Sequence, residues 1–174
     1  MIFKYYIFFI LFLISSNLFA INVRVIDLEF LITENETFKK SILIIENDQI
    51  KHKEHFTNKE NELQSDLERI ENLKLILDDE NLSIEIKEYK EKFSEFQKIV
   101  NNYNLHYEQQ LNNLKNLIMQ NILELVKKYS KKNNIELILD SDNYIIAVNN
   151  INITKDILIE LNKQNIEFEF EQYK

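Results

Sequence analysis

The chain has 174 residues, 45% of them hydrophobic and 29% charged, with 29 acids against 21 basic residues and no glycine, proline or cysteine. Without glycine it can hold neither a phosphate-cradling loop nor a dinucleotide fingerprint, whose backbones must approach a ligand more closely than side chains permit. Without cysteine there is no disulfide, thiolate nucleophile, cysteine zinc site or lipid-modified cysteine.

Tight turns usually draw on glycine for positive φ and on proline for preset geometry. A chain that lacks both suits a few long elements joined by few turns, with asparagine covering an occasional left-handed position. At the start, Lys4 supplies a positive charge, residues 5–14 are uninterrupted apolar, and residues 15–20 close on Ala20. This is the order of a secretory signal peptide cleaved after Ala20, so residues 1–20 predict export. The apolar run is too short to cross a hydrocarbon core of about 30 Å as a helix. Cleavage would remove Lys4 and no acid, leaving a mature charge of about −9. Such a chain is a poor partner for nucleic acid or for anionic lipid surfaces.

Residues 23–27 are short and β-branched and predict a strand. From about Leu28 the period becomes helical. Phe38 and Ile45, then Ile42, Gln49, Phe56, Leu63, Ile70 and Leu77, recur at seven-residue spacing. That repeat predicts a helix buried along one seam, which His52 and Lys59 interrupt. The pattern breaks at residues 78–83, with Ser83 as the expected cap of a returning helix that runs to about Lys132. Its rows are Ile86, Phe93, Val100, Tyr107 and Leu114, and Tyr89, Phe96 and Tyr103, continued by Leu111, Ile118 and Leu125. Each helix would be roughly 65–75 Å long, and a short link makes the two antiparallel neighbours. No single-domain core is that long, so the hairpin should project.

Residues 135–139 and 144–148 predict a β-hairpin turned at 140–143, and Thr154 the cap of a last helix to about Lys163. The expected organisation is a β-containing base from residues 21–34 and 133–163, an arm from 35–132 with its tip near 78–83, and a tail at 164–174. The fold class is α+β, mainly α: a long antiparallel coiled-coil hairpin on a small β base. Three strands are too few to be stable alone, so other copies should complete the base. In the tail, residues 166–173 alternate apolar and acidic and read as an extra strand at the base edge or as a disordered end.

This order resembles the Skp/OmpH family of periplasmic chaperones. The matching residues are Val25, Ile26, Asp27, Leu28 and Glu29; Leu82 and Ser83; Ile135 through Asp140; and Ile153 through Asn162. The resemblance covers nearly all of residues 21–163. It implies a homotrimer with a β-rich base and three helical arms around a cavity, where unfolded outer-membrane β-barrel proteins are held without nucleotide. Its well-known members are strongly basic. The acidic charge of this chain therefore argues against membrane or lipopolysaccharide contact.

For such a role, apolar side chains must cover many client sequences at roughly 25 cal/mol per Å² with no directional demand. Phe38, Ile42, Phe56, Phe93, Phe96, Tyr103 and Tyr107 are the candidates for a client-binding face, the plainer alternative being that they hold the two helices together. Val23, Val25, Leu137, Leu139, Ile146 and Val148 are the candidates for the oligomerisation base. His52, His55 and His106, with Glu54 and Glu108, are a candidate metal site or pH-sensitive clasp if the hairpin folds near Asn81. Chance exposure on a solvated face is the simpler reading of them. The acids at 140 and 142 are ordinary turn chemistry. No motif supports catalysis or a cofactor. The expected function is an ATP-independent periplasmic holdase, with a structural coiled-coil adaptor of the cell envelope as the alternative and a regulatory subunit of a membrane complex as a third reading.

Overall fold

The computed structural model describes residues 21–174, so the expected signal segment lies outside the described residues. The elements are β1 (Val23–Ile26), α1 (Leu28–Glu34), α2 (Glu36–Leu73), α3 (Asp79–Lys132), β2 (Leu137–Asp140) and α4 (Thr154–Asn162). Single 3₁₀ turns at Ser141–Asn143 and Asn149–Ile151 join β2 to α4.

Two helices of 38 and 54 residues form the arm. At about 1.5 Å per residue they measure roughly 57 and 80 Å, so they are unequal and not matched as expected. Asn35 explains part of the difference, because it breaks the first helical run into α1 and α2. Its backbone is extended (φ −64°, ψ 134°), and its side chain accepts the Phe38 N–H at 3.0 Å. Its amide donates to Asn162 Oδ1 at 2.9 Å, which ties the break to α4.

The arm folds back earlier than expected. Asp78, not Ser83, caps α3, and its carboxylate accepts the Asn81 N–H at 2.9 Å. Asp79 and Glu80 follow in the first turn, where the helix dipole favours acids. Ser83 therefore lies within the helix. At the other end, Asn134 takes the one positive φ of the described residues (50°), and Ile135 N–H reaches back to the Ser130 carbonyl at 3.0 Å. Asparagine thus closes the helix where glycine is usual.

β1 and β2 pair in parallel, with Val23 opposite Leu137 and Ile26 opposite Asp140. The arm is itself the long crossover that parallel pairing needs. The expected β-hairpin does not form within the chain. Residues 144–148 make no ladder among the described residues, and Ile145, Ile146 and Val148 are 100%, 88% and 62% exposed. The other edge of β1 is taken instead by a bridge between Val25 and Asn152. Thr154 is likewise not a cap. It is the first residue of α4, and its hydroxyl accepts the Asp27 N–H at 2.9 Å. Asp140 Oδ1 accepts the Leu28 N–H at 3.0 Å, so two side chains bind the turn between β1 and α1 to the rest of the base.

The core lies where the C-terminal half of α3 meets α1 and α4. Leu31, Leu114, Ile118, Ile122, Ile157 and Leu161 are fully buried there. Truncation at this meeting point leaves a cavity. Ile118→Ala should lower stability by roughly 2–5 kcal/mol in urea denaturation, whereas Leu75→Ala at the tip should stay within about 0.5 kcal/mol.

Candidate functional site

Along the arm, residues of α2 and α3 meet in layers. Asp48 faces Tyr107, Phe56 lies against Phe96 and Tyr103, Asp66 takes Lys92, and Glu85 takes Arg69. Between the buried ends of the seam at Ile45 and Leu63 stand Asp48, His52, Phe56 and Lys59, so its middle is polar and aromatic where a coiled coil would carry aliphatics.

That middle carries a chain of rings. Phe56 and Tyr103 centroids lie 4.7 Å apart, as do those of Tyr103 and Tyr107. Tyr173, from the tail, is 5.2 Å from His52, 5.3 Å from Tyr103 and 5.5 Å from His106. Such edge-to-face pairs are worth about 0.5–1.5 kcal/mol each beyond the area they bury.

Asp48 organises this cluster and is only 4% exposed. The Tyr107 hydroxyl donates to its Oδ2 at 2.8 Å, the Tyr173 N–H donates at 3.2 Å, and Lys51 approaches at 3.5 Å. Burial pushes the Asp48 carboxyl up, but the Tyr107 hydroxyl, the Tyr173 N–H and the Lys51 ammonium together hold it below its ordinary value. Tyr107 is the counterpart: burial first, then the Asp48 carboxylate, raises its hydroxyl far above the usual phenol range. The pair is therefore an ionised acid held by a neutral phenol.

The tail is neither a strand of the base nor a free end. It runs along the arm from Thr37, whose hydroxyl meets the Ile166 carbonyl at 3.4 Å, to Ile99, whose carbonyl accepts the Tyr173 hydroxyl at 3.4 Å. Ile166 is buried, and Phe168, Phe170 and Tyr173 pack against the core cluster.

The expected client-binding residues divide three ways. Phe38, Phe96 and Tyr107 are buried in the seam; Ile42, Phe56 and Tyr103 are half-buried; Phe93 is 40% exposed and stacks on Tyr89 at 6.0 Å. Of the expected base residues, Val25 is buried inside its own chain, Val23 and Leu139 are half-buried, and Leu137, Ile146 and Val148 are exposed. The histidines do not gather as the fold near Asn81 would have placed them. His52 and His106 both flank Tyr173, while His55 stands exposed beside Phe56 at 6.0 Å. No cluster of three His, Cys, Asp or Glu that could hold a metal occurs among the described residues.

Two grooves border the aromatic layers, and Phe56 lines both. One, of about 500 Å³, runs past Ile50, Lys53, Val100 and Asn104; the other, of about 260 Å³, runs past His55, Lys59, Lys92, Phe96 and Ile99. Leu43, Ile44, Ile50, Leu67, Leu75, Ile76, Ile84 and Leu105 add exposed apolar surface to the arm and its tip. Sequence reasoning passed over these because they lie outside the strongest rows. Asp48 had one signal: it stands three residues after the core residue Ile45, an acid at a seam position.

A long two-helix arm standing on a small α+β base is a coiled-coil-like architecture. A family model of outer membrane proteins described as OmpH-like matches residues 22–161, and the chain belongs to that family. The crystal structure of a Caulobacter crescentus CB15 protein, proposed to be an OmpH-like outer membrane chaperone, has the same fold. Its TM-score is 0.69 at 11% identity, over 89% of this chain and 92% of that one. No curated protein matches the sequence. The tail lies beyond the family match.

Because the carboxyl of Asp48 titrates below its ordinary value, its contribution to stability is present above about pH 4 and is lost as the pH falls through the lowered value. Tyr107→Phe removes the chief donor, so it should cost about 1–3 kcal/mol at neutral pH and move the acid transition to higher pH. Thermal melts followed by circular dichroism across pH 2–7 give both readings.

Proposed function

We propose that the protein is an ATP-independent periplasmic holdase that keeps unfolded outer-membrane β-barrel proteins from aggregating. The observation that carries this reading is the arm itself, a projecting hairpin with exposed apolar side chains from Leu43 to Leu105 and shallow grooves beside its aromatic layers. Membership of the OmpH-like family supports it, as does the fold shared with a protein proposed to be an outer membrane chaperone. So does the expected export of the chain. Exposed apolar area can cover many client sequences, because burial asks for no fixed geometry. Ile42, Phe56, Phe93 and Tyr103 are the members of the expected face that are not buried and remain accessible to a client. Phe38, Phe96 and Tyr107 serve by holding the arm together.

In this reading the working unit is a homotrimer with arms around a cavity. Leu137, Ile145, Ile146 and Val148 crowd exposed apolar side chains onto the base beside a sheet of only two strands. A second copy would cover them and supply strand partners for residues 144–148. The acidic surface keeps the open assembly soluble and disfavours anionic lipid as a partner.

Mature chain 21–174 should suppress the aggregation of a β-barrel protein diluted from urea at near-stoichiometric amounts, without nucleotide. Unimpeded aggregation would overturn the reading, and tight binding to a folded envelope protein in that case would favour an adaptor. Light scattering should give a trimer for the parent chain. Ile146→Asp should shift it to a monomer with unchanged helical circular dichroism.

A further inference from the structure

The tail meets the arm in a way that an intramolecular strap does not require. Its backbone is held by side chains and not by a strand ladder. Gln110 Oε1 accepts the Glu171 N–H at 3.4 Å, His106 Nε2 pairs with the Glu171 carbonyl at 2.8 Å, and Asp48 Oδ2 accepts the Tyr173 N–H at 3.2 Å. Asp48 and Gln110 are 4% and 6% exposed, and buried polar groups of this kind need partners. Beside the Tyr107 hydroxyl and Lys51 on Asp48, what the tail adds at these groups is main-chain N–H and C=O, which any extended chain could supply. Specificity is left to the apolar side chains of the tail, Ile166, Phe168, Phe170 and Tyr173, while Glu167, Glu169 and Glu171 stay exposed. The groove also continues past the end of the tail. Ile99, which accepts the Tyr173 hydroxyl, lines the tipward cavity with Phe56, Phe96, Lys59 and Lys92.

An unfolded β-barrel strand has the same form, an extended chain alternating apolar and polar side chains. We propose that this groove is an extended-chain binding site for such client segments and that the tail is its built-in competitor, displaced when a client binds. The inference rests on the holdase reading and names the chemistry and regulation of that site. A tail in place lowers the fraction of competent arms, and the apparent affinity for clients falls by that fraction. Ile166 is buried where Phe168, Phe170 and Tyr173 are only half-buried, so release begins at Tyr173 and stops at Ile166.

The test uses a fluorescent peptide with the sequence of residues 164–174 as the probe. Phe170→Ser/Tyr173→Ser in chain 21–174 should bind it about tenfold more tightly than the parent chain, as expected for a site freed from an internal competitor. Adding Gln110→Ala to that variant should remove most of the gain. In the aggregation assay the freed chain should protect a β-barrel client at lower concentration than the parent. Equal peptide affinity in the two chains would overturn the competitor, and so would loss of helical circular dichroism in the double variant, since the tail would then be a structural strap. If both chains suppress aggregation equally, the competitor fails and the holdase reading stands. If peptide exchange occurs as expected but neither chain protects a client, the holdase reading fails and takes the client assignment with it.

Discussion

Everything in this molecule hangs on the apolar row of α3. Its base half, Leu114, Ile118 and Ile122, is buried without residual exposure under elements that come from both ends of the chain, α1 and α4. Toward the tip, α2 is the only helix packed on it among the described residues. That division is why one part of the protein is a core and the other is an arm. The same helix supplies the long crossover that lets β1 and β2 lie parallel, so the small sheet exists only because the spine brings its strands together.

The spine is rigid where it is surrounded and adaptable where it is not. Between Ile45 and Leu63 the seam contains a carboxylate, an imidazole and an ammonium group. Nearer the tip, the ion pairs of Lys92 with Asp66 and of Arg69 with Glu85 are partly exposed to solvent. Pairs of that kind contribute about 0–1 kcal/mol, so the outer arm depends chiefly on Leu63, Ile70 and Phe96. Few apolar contacts and many solvated hydrogen bonds mark the regions of a protein that open most readily. On the proposed holdase reading, an arm that takes clients of different bulk would benefit from that weakness.

Much of this was legible in the residues. Seven-residue spacing and the lack of glycine and proline foretell two long helices with one turn between them, since period and breakers act locally. What escaped depends on competition or on distant partners. Asp78 and Ser83 are both good caps, and choosing the later one slides the fold point by several residues and misaligns every cross-arm pair, the histidines included. The strand pattern at residues 144–148 is real, but a pattern names a preference and not a partner, and no partner lies among the described residues. Asn35 carries no period of its own; its break is settled by Asn162, far along the sequence.

The tail is the clearest case of a local signal with a nonlocal meaning. The alternation corresponds to one buried or half-buried apolar side, but the strand it suggests does not form among the described residues. It leaves open what satisfies the backbone, and here that role falls to Asp48, His106 and Gln110 on the arm. A ladder partner would have fixed the tail in a register, because strand pairing satisfies every second residue along its length. Isolated side-chain acceptors hold it at a few points and leave the rest to apolar contact. Attachment of that kind depends on the state of the arm: parting α2 from α3 near Asp48 separates that carboxylate from the Tyr107 hydroxyl and from His106 and Gln110, so the tail cannot keep all of its partners. The tail thus bridges the two helices of the arm, touching α2 at Thr37 and Asp48 and α3 at Ile99, His106 and Gln110.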